Sequence, residues 1–336
     1  MAHLARAFAA APLVLVHLSC SPPDAAHTAG DTVSLAMQEG HVDAGDGVRL
    51  FYRIVGAAPD TVIVLHGGPG FTLDYFADDL APLAERHTLL FYDQRGAGNS
   101  SLVSDSSALD AQRFADDVEA IRRHFGMERV ALLGHSWGAG VAALYAIRHP
   151  ERISRLLIVG GLPLTLTGIA EAFEALAASR DTAESRLLRE AMDARSADPT
   201  SWDACRAYYV LWFRPFFHDS AAAGRSKGDF CAGTAESRTN KMASVDRYVI
   251  ASLGDWDWRP GLSTLEAPAL IIHGTGDPIA IETAREWAST LPNARLLVLQ
   301  DVGHFSYVEA PEQFFPAADA FLSGEWPDDA EPVALP

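Results

Sequence analysis

From about Val42 onward, short apolar runs alternate with amphipathic segments. Residues 48–54 alternate apolar and polar positions, as a strand with one solvated face does. Residues 61–65, 88–92, 130–133, 156–159, 269–272 and 296–299 are near-continuous apolar runs. Runs of that length suit parallel strands covered by helices on both faces. Between them, Phe114, Val118, Ile121 and Phe125 recur at helical spacing, with residues 107–110 expected to cap that helix. Ile281, Ala284, Trp287 and Leu291 predict a second helix. Phe314, Phe315, Ala318 and Leu322 predict a last one starting at Pro311. The alternation defines an α/β fold with a mostly parallel sheet.

The rhythm breaks over residues 162–258, where no strand-like run is bounded by turns. That stretch reads as several helices and is aromatic-rich at Tyr208, Tyr209, Trp212, Phe213, Phe216 and Phe217. Helices inserted between two sheet strands predict a lid over a site. The expected organisation is a leader and tether at 1–34, a first core segment at 35–161, the lid at 162–258, a second core segment at 259–325 and a tail at 326–336.

Composition removes some alternatives. Hydrophobic residues make up 49% of the 336-residue chain and charged residues 21%, enough to bury a large core. The formal net charge of −18 repels phosphate backbones, so nucleic-acid binding is not expected. The leader has Arg6 and then an apolar run over residues 8–18 broken only by His17, too short to span a bilayer alone. It reads as an export signal. Leu18-Ser19-Cys20 resembles the end of a lipobox, so a lipidated Cys20 would tether the protein to a membrane; a simply cleaved signal, or a leader retained on a cytoplasmic protein, is the alternative. Of three cysteines, Cys205 and Cys231 then remain, either as a disulfide in an oxidising compartment or as two separate buried thiols.

The chemistry centres on Gly134-His135-Ser136-Trp137-Gly138, which follows one apolar run and opens a small-residue helix. A sharp strand-to-helix turn exposes a hydroxyl, and glycines two positions either side avoid clashes there. A hydroxyl needs a base to take its proton and a third group to orient the base. Asp277 follows the 269–272 run inside a glycine-rich turn, and His304 follows the 296–299 run. Both therefore fall at carboxyl ends of strands, where open α/β sheets place their sites. His304 is the only histidine after the candidate acid. Asp255, Asp257 and Asp301 are rival acids in poorer positions along the chain.

An attacked carbonyl also needs donors for the charge that develops on its oxygen. The Trp137 amide supplies one. The loop His66-Gly67-Gly68-Pro69-Gly70 supplies the other, through Gly68 as first choice and Gly67 as second.

These two motifs, together with Asp93-Gln94-Arg95-Gly96-Ala97-Gly98-Asn99-Ser100, resemble the motif series of proline iminopeptidases within the α/β-hydrolase superfamily. The similarity spans residues 47–321 and is thin in the lid. It implies the α/β-hydrolase fold, a Ser136-Asp277-His304 triad, and release of an N-terminal residue, typically proline, through an acyl-enzyme. Asp93 and Arg95 would brace the loop beside the oxyanion donors. Lid carboxylates would hold the substrate's amine, with Glu184, Glu190, Glu236, Asp203 and Asp229 as candidates. The aromatic residues, Trp212 and Phe213 among them, are either substrate-binding or the lid's own core. A small peptide is the first expected substrate and a small ester or lactone the second. A non-catalytic binding protein on this fold is a third reading, opposed by the complete triad. No metal-ligand spacing or dinucleotide fingerprint occurs, so no cofactor is expected.

Overall fold

Among the described residues nine strands form a single sheet; numbered along the chain as β1 (Met37–Asp43), β2 (Arg49–Val55), β3 (Thr61–Leu65), β4 (Thr88–Tyr92), β5 (Val130–His135), β6 (Ile153–Val159), β7 (Ala269–Gly274), β8 (Ala294–Leu299) and β9 (Glu331–Pro332), they lie in the order β1-β2-β4-β3-β5-β6-β7-β8-β9. The computed structural model describes residues 36–333; the leader, with Cys20, lies outside the described residues. The six strands β3 (Thr61–Leu65), β4 (Thr88–Tyr92), β5 (Val130–His135), β6 (Ile153–Val159), β7 (Ala269–Gly274) and β8 (Ala294–Leu299) are mutually parallel and correspond to the six apolar runs. The register pairs Leu65 with Gly134, His135 with Val159, Val159 with Ile272, and Gly274 with Leu299. Their carboxyl ends therefore finish level, along one edge.

Antiparallel strands complete the sheet on both sides. β2 (Arg49–Val55) pairs with β4, and β1 (Met37–Asp43) pairs with β2. β1 was not expected as a strand: its sequence is polar, and Val42 is its one buried side chain. It forms by completing the β2 ladder at a solvated edge, which needs little hydrophobic signal. Residues Glu331–Pro332, within the expected tail, pair with β8 as β9.

Helices cover both faces. Ala111–His124, Trp137–Arg148 and Ile281–Thr290 bury Phe114, Trp137 and Trp287 against one face. Pro311–Leu322 buries Phe314 and Phe321 against the other. Within the expected capping stretch 107–110, Asp110 is the residue that caps the first of these helices, its carboxylate accepting the Gln112 amide at 2.8 Å. Ser107 is held one turn earlier by Asp105, at 2.7 Å. A carboxylate at the N-cap also suits the helix dipole.

Between β6 and β7 the chain is helical: Leu166–Ala178, Thr182–Ala197, Trp202–Phe213, Ala235–Asn240 and Asp246–Ser252 are α-helices, and Lys241–Val245 is a π-helical turn. The insertion closes on itself at its base, where Leu166 N donates to Trp256 O and Trp258 N donates to Leu164 O. Cys205 and Cys231 are joined by a disulfide, with Cα atoms 6.0 Å apart, pinning the Trp202–Phe213 helix to the loop beyond it.

Candidate active site

Ser136 sits at φ 55°, ψ −120°, between β5 and the helix Trp137–Arg148. For a side chain other than glycine this is a strained conformation, which the surrounding packing must impose. The flanking glycines make that packing feasible. A Cβ on Gly134 would lie 2.7 Å from Gly138 O, and one on Gly138 would collide with Leu65 O. The elbow is thus pressed directly onto the neighbouring strand.

His304 and Asp277 meet at the ends of β8 and β7, with His304 Nδ1 2.7 Å from Asp277 Oδ2 and both side chains buried. The second carboxylate oxygen accepts the Ile279 amide at 2.9 Å. Burial pushes the Asp277 carboxyl up. The His304 and His273 imidazoles, with the hydrogen bonds from His304 and Ile279, outweigh that and hold it below the usual carboxylate range. An ionised Asp277 fixes the proton on Nδ1 and leaves His304 Nε2 as the acceptor. Room for the imidazole depends on Gly160, at φ +52°, where a Cβ would stand 2.9 Å from His304 Nδ1. No hydrogen bond joins Ser136 Oγ to His304 among the described residues; such bonds often tighten only when substrate binds. The rivals lie elsewhere: Asp255 and Asp257 are exposed, Asp257 pairs with Arg259 at 2.7 Å, and the Asp301 side chain is 85% exposed.

A hydrogen-bond chain ties the loops of Ser136, His304 and Gly67 together. The Gly67 amide donates to Tyr75 Oη at 2.9 Å, and that hydroxyl bonds His135 Nδ1. His135 Nε2 in turn reaches the His304 carbonyl at 3.1 Å. Burial, then the nearby His304, push the His135 imidazole down to about 3, so it is neutral. Its Nε2 donates to the carbonyl and its Nδ1 accepts from the tyrosine. The Gly67 amide is therefore occupied, whereas neither Gly68 N nor Trp137 N donates a hydrogen bond among the described residues.

The third motif braces this arrangement. Gln94 donates to His66 O at 2.8 Å and accepts Trp137 Nε1 at 2.9 Å. Asp93 accepts the Leu73 and Asn99 amides, both at 2.8 Å. Arg95 grips buried Asp117 through two bonds of 2.6 and 2.8 Å and reaches Asp46 at 2.9 Å. Paired charges of this kind are tolerated in a core only with such full pairing.

Ser136, Gly68 and Pro69 open into a cavity of about 310 Å³ beneath the lid. Tyr208, Tyr209, Trp212, Phe213 and Phe216 line it, so these aromatic residues serve both as lid core and as cavity wall. A larger groove of about 710 Å³, beside Cys231 and Trp202, contains none of the three candidate catalytic residues. None of the five expected lid acids lines the Ser136 cavity. Glu184 pairs with Arg214 at 2.7 Å, Glu190 faces Arg186 at 3.7 Å, Asp203 and Glu236 are exposed, and Asp229 caps a turn through Cys231 N. The cavity's charged residues are instead Arg195, Lys241 and Asp246. Sequence reasoning missed all three, since the facing of short lid helices depends on how they pack.

A sheet with level strand ends, a strained serine elbow and an oriented histidine define a hydrolase. The chain belongs to the alpha/beta hydrolase fold family, whose model matches residues 60–311. Among named relatives, it is 27% identical over 271 residues to a proline iminopeptidase of Lactobacillus delbrueckii subsp. lactis, covering 78% of this chain and 90% of that protein. It also resembles the crystal structure of a Mycobacterium smegmatis proline iminopeptidase, with 27% identity, a TM-score of 0.64, and coverage of 85% of this chain and 98% of that one. An esterase from Exiguobacterium antarcticum shares the fold at 21% identity, a TM-score of 0.63, and coverage of 85% of this chain and all (100%) of that one.

Proposed function

We propose that the protein is a serine hydrolase that works through an acyl-enzyme on Ser136, and that it releases N-terminal proline or similar residues from small peptides. The observation that carries the mechanism is the buried Asp277–His304 pair at 2.7 Å, placed at the same sheet edge as the serine elbow. In this reading His304 Nε2 takes the Ser136 proton as Oγ attacks the scissile carbonyl. The resulting oxyanion is received by the Gly68 and Trp137 amides. The imidazolium, steadied by Asp277, then protonates the leaving amine, and water repeats the sequence to free the acid. Similarity to the two proline iminopeptidases supports the peptide substrate.

One observation favours a second reading, an esterase or lactonase. Among the described residues the one carboxylate lining the cavity, Asp246, is already paired with Lys241 Nζ, so a substrate amine would have to displace that ammonium. Comparing a proline anilide with short acyl esters decides between them. Turnover of the anilide supports the aminopeptidase, and turnover of esters alone refutes it.

We also propose export to an oxidising compartment, directed by the leader, with lipidation at Cys20 as the means of retention. The Cys205–Cys231 bond supports this, because such bonds persist mainly outside the cytosol. Mass spectrometry of the mature N-terminus tests it: an intact Met1 or a processed, unacylated terminus contradicts lipidation.

A further inference from the structure

The helix Thr182–Ala197 lies on the lid surface, and Arg195 is the only one of its sixteen residues that is buried. Arg195 is 6% exposed and lines the cavity that holds Ser136. Its guanidinium lies 4.9 and 4.8 Å from the ring centres of Tyr208 and Tyr209. Among the described residues no carboxylate comes within ion-pair distance of it.

The other two cavity charges are already matched. Lys241 Nζ donates to Pro69 O at 2.7 Å and pairs with Asp246. Arg195 therefore leaves the cavity one positive charge in excess. Burying an unpaired cation is costly, and ring faces offset only part of that cost. A leucine or methionine would pack the same position without it. A planar fork of donors facing a reaction cavity matches the geometry of a carboxylate.

We propose that Arg195 is a specificity-determining residue, and that the cavity takes substrates bearing a carboxylate, held by Arg195 while Ser136 attacks the scissile carbonyl. This rests on the acyl-enzyme reading above and on neither its peptide nor its ester form. The carboxylate belongs either to the acyl portion or to the leaving group, and two matched pairs separate these sources. The nitrophenyl monoester of adipate against nitrophenyl hexanoate probes the acyl side. Prolylglycine against prolylglycinamide probes the leaving group.

In the wild type, the charged member of at least one pair should have a kcat/KM about tenfold or more above its neutral match, the range of a hydrogen bond to a charged group. In Arg195→Met that ratio should fall to within about twofold of unity, and Arg195→Lys should restore part of it. Ratios near unity for both pairs in the wild type overturn the proposal, whether or not Arg195→Met folds. So does a preference that survives Arg195→Met. Ser136-dependent turnover without charge preference sinks this inference and leaves the acyl-enzyme standing. Turnover undiminished in Ser136→Ala sinks both.

Discussion

The Tyr75 hydroxyl accepts the Gly67 amide at 2.9 Å, and that bond distinguishes Gly67 from Gly68 in the loop beside Ser136. Gly67 is committed to the scaffold, whereas the Gly68 amide donates no hydrogen bond among the described residues and is the donor proposed for the oxyanion. The same hydroxyl bonds His135, the residue before Ser136. Tyr75→Phe should leave two buried polar atoms unsatisfied and destabilise the protein by about 1–3 kcal/mol. It should also lower kcat about tenfold or more, with KM little changed, since in the proposed mechanism the loop acts on the oxyanion rather than on ground-state binding. Denaturant unfolding and steady-state kinetics on an acyl ester check both parts.

Asp277→Asn should reduce kcat by about 10³–10⁴-fold through loss of the tautomer that leaves His304 Nε2 free, on the scale of the equivalent change in a serine protease triad. Asp301→Asn should stay within about twofold of wild type, because the Asp301 side chain is 85% exposed and lies 3.9 Å from the His218 imidazole. Equal losses in the two variants would contradict the assignment of the acid.

Burial pushes the Asp93 carboxyl up to about 7, against the hydrogen bonds from Asn99 and Leu73 that favour its charged form. A carboxyl whose folded value is raised binds more protons folded than unfolded between the two values. Its contribution to stability is thus fully present below about pH 4 and lost as pH rises through about 7. Asp93→Asn lacks that titration. The stability of wild type relative to the variant should therefore decrease between these pH values in denaturant titrations. A constant difference would show that Asp93 is ionised throughout.

The Cys205–Cys231 bond closes a loop with a sequence separation of 26 residues inside the lid. Replacing both cysteines by serine should cost about 3 kcal/mol and lower Tm by about 5–10 °C. Calorimetry with and without reductant measures it, and the double variant should be insensitive to reductant.

The six central strands were legible because each is a run of apolar residues covered on both faces, a pattern no polar contact disturbs. Ser136, Asp277 and His304 could be named as candidates because each follows such a strand, so chain order translates into position along one edge. β1 was illegible because an edge strand with a solvated face needs no apolar run. Residues 107–110 were legible as the cap, but which side chain would do it was not, because Ser107 and Asp110 both carry capping groups and only packing distinguishes the two. Tyr75 lies eight residues from Gly67 in sequence, and no motif announces that its hydroxyl takes the Gly67 amide. Arg195, Lys241 and Asp246 reach the cavity through helix rotations set by lid packing. A charged residue on a mostly polar helix reads as solvated until that packing is known.

The most direct test is labelling with a fluorophosphonate, followed by peptide mapping. The account predicts one modified residue, Ser136, with labelling abolished in a folded Ser136→Ala and strongly slowed in His304→Ala. Labelling of Ser136→Ala at the wild-type rate would contradict it.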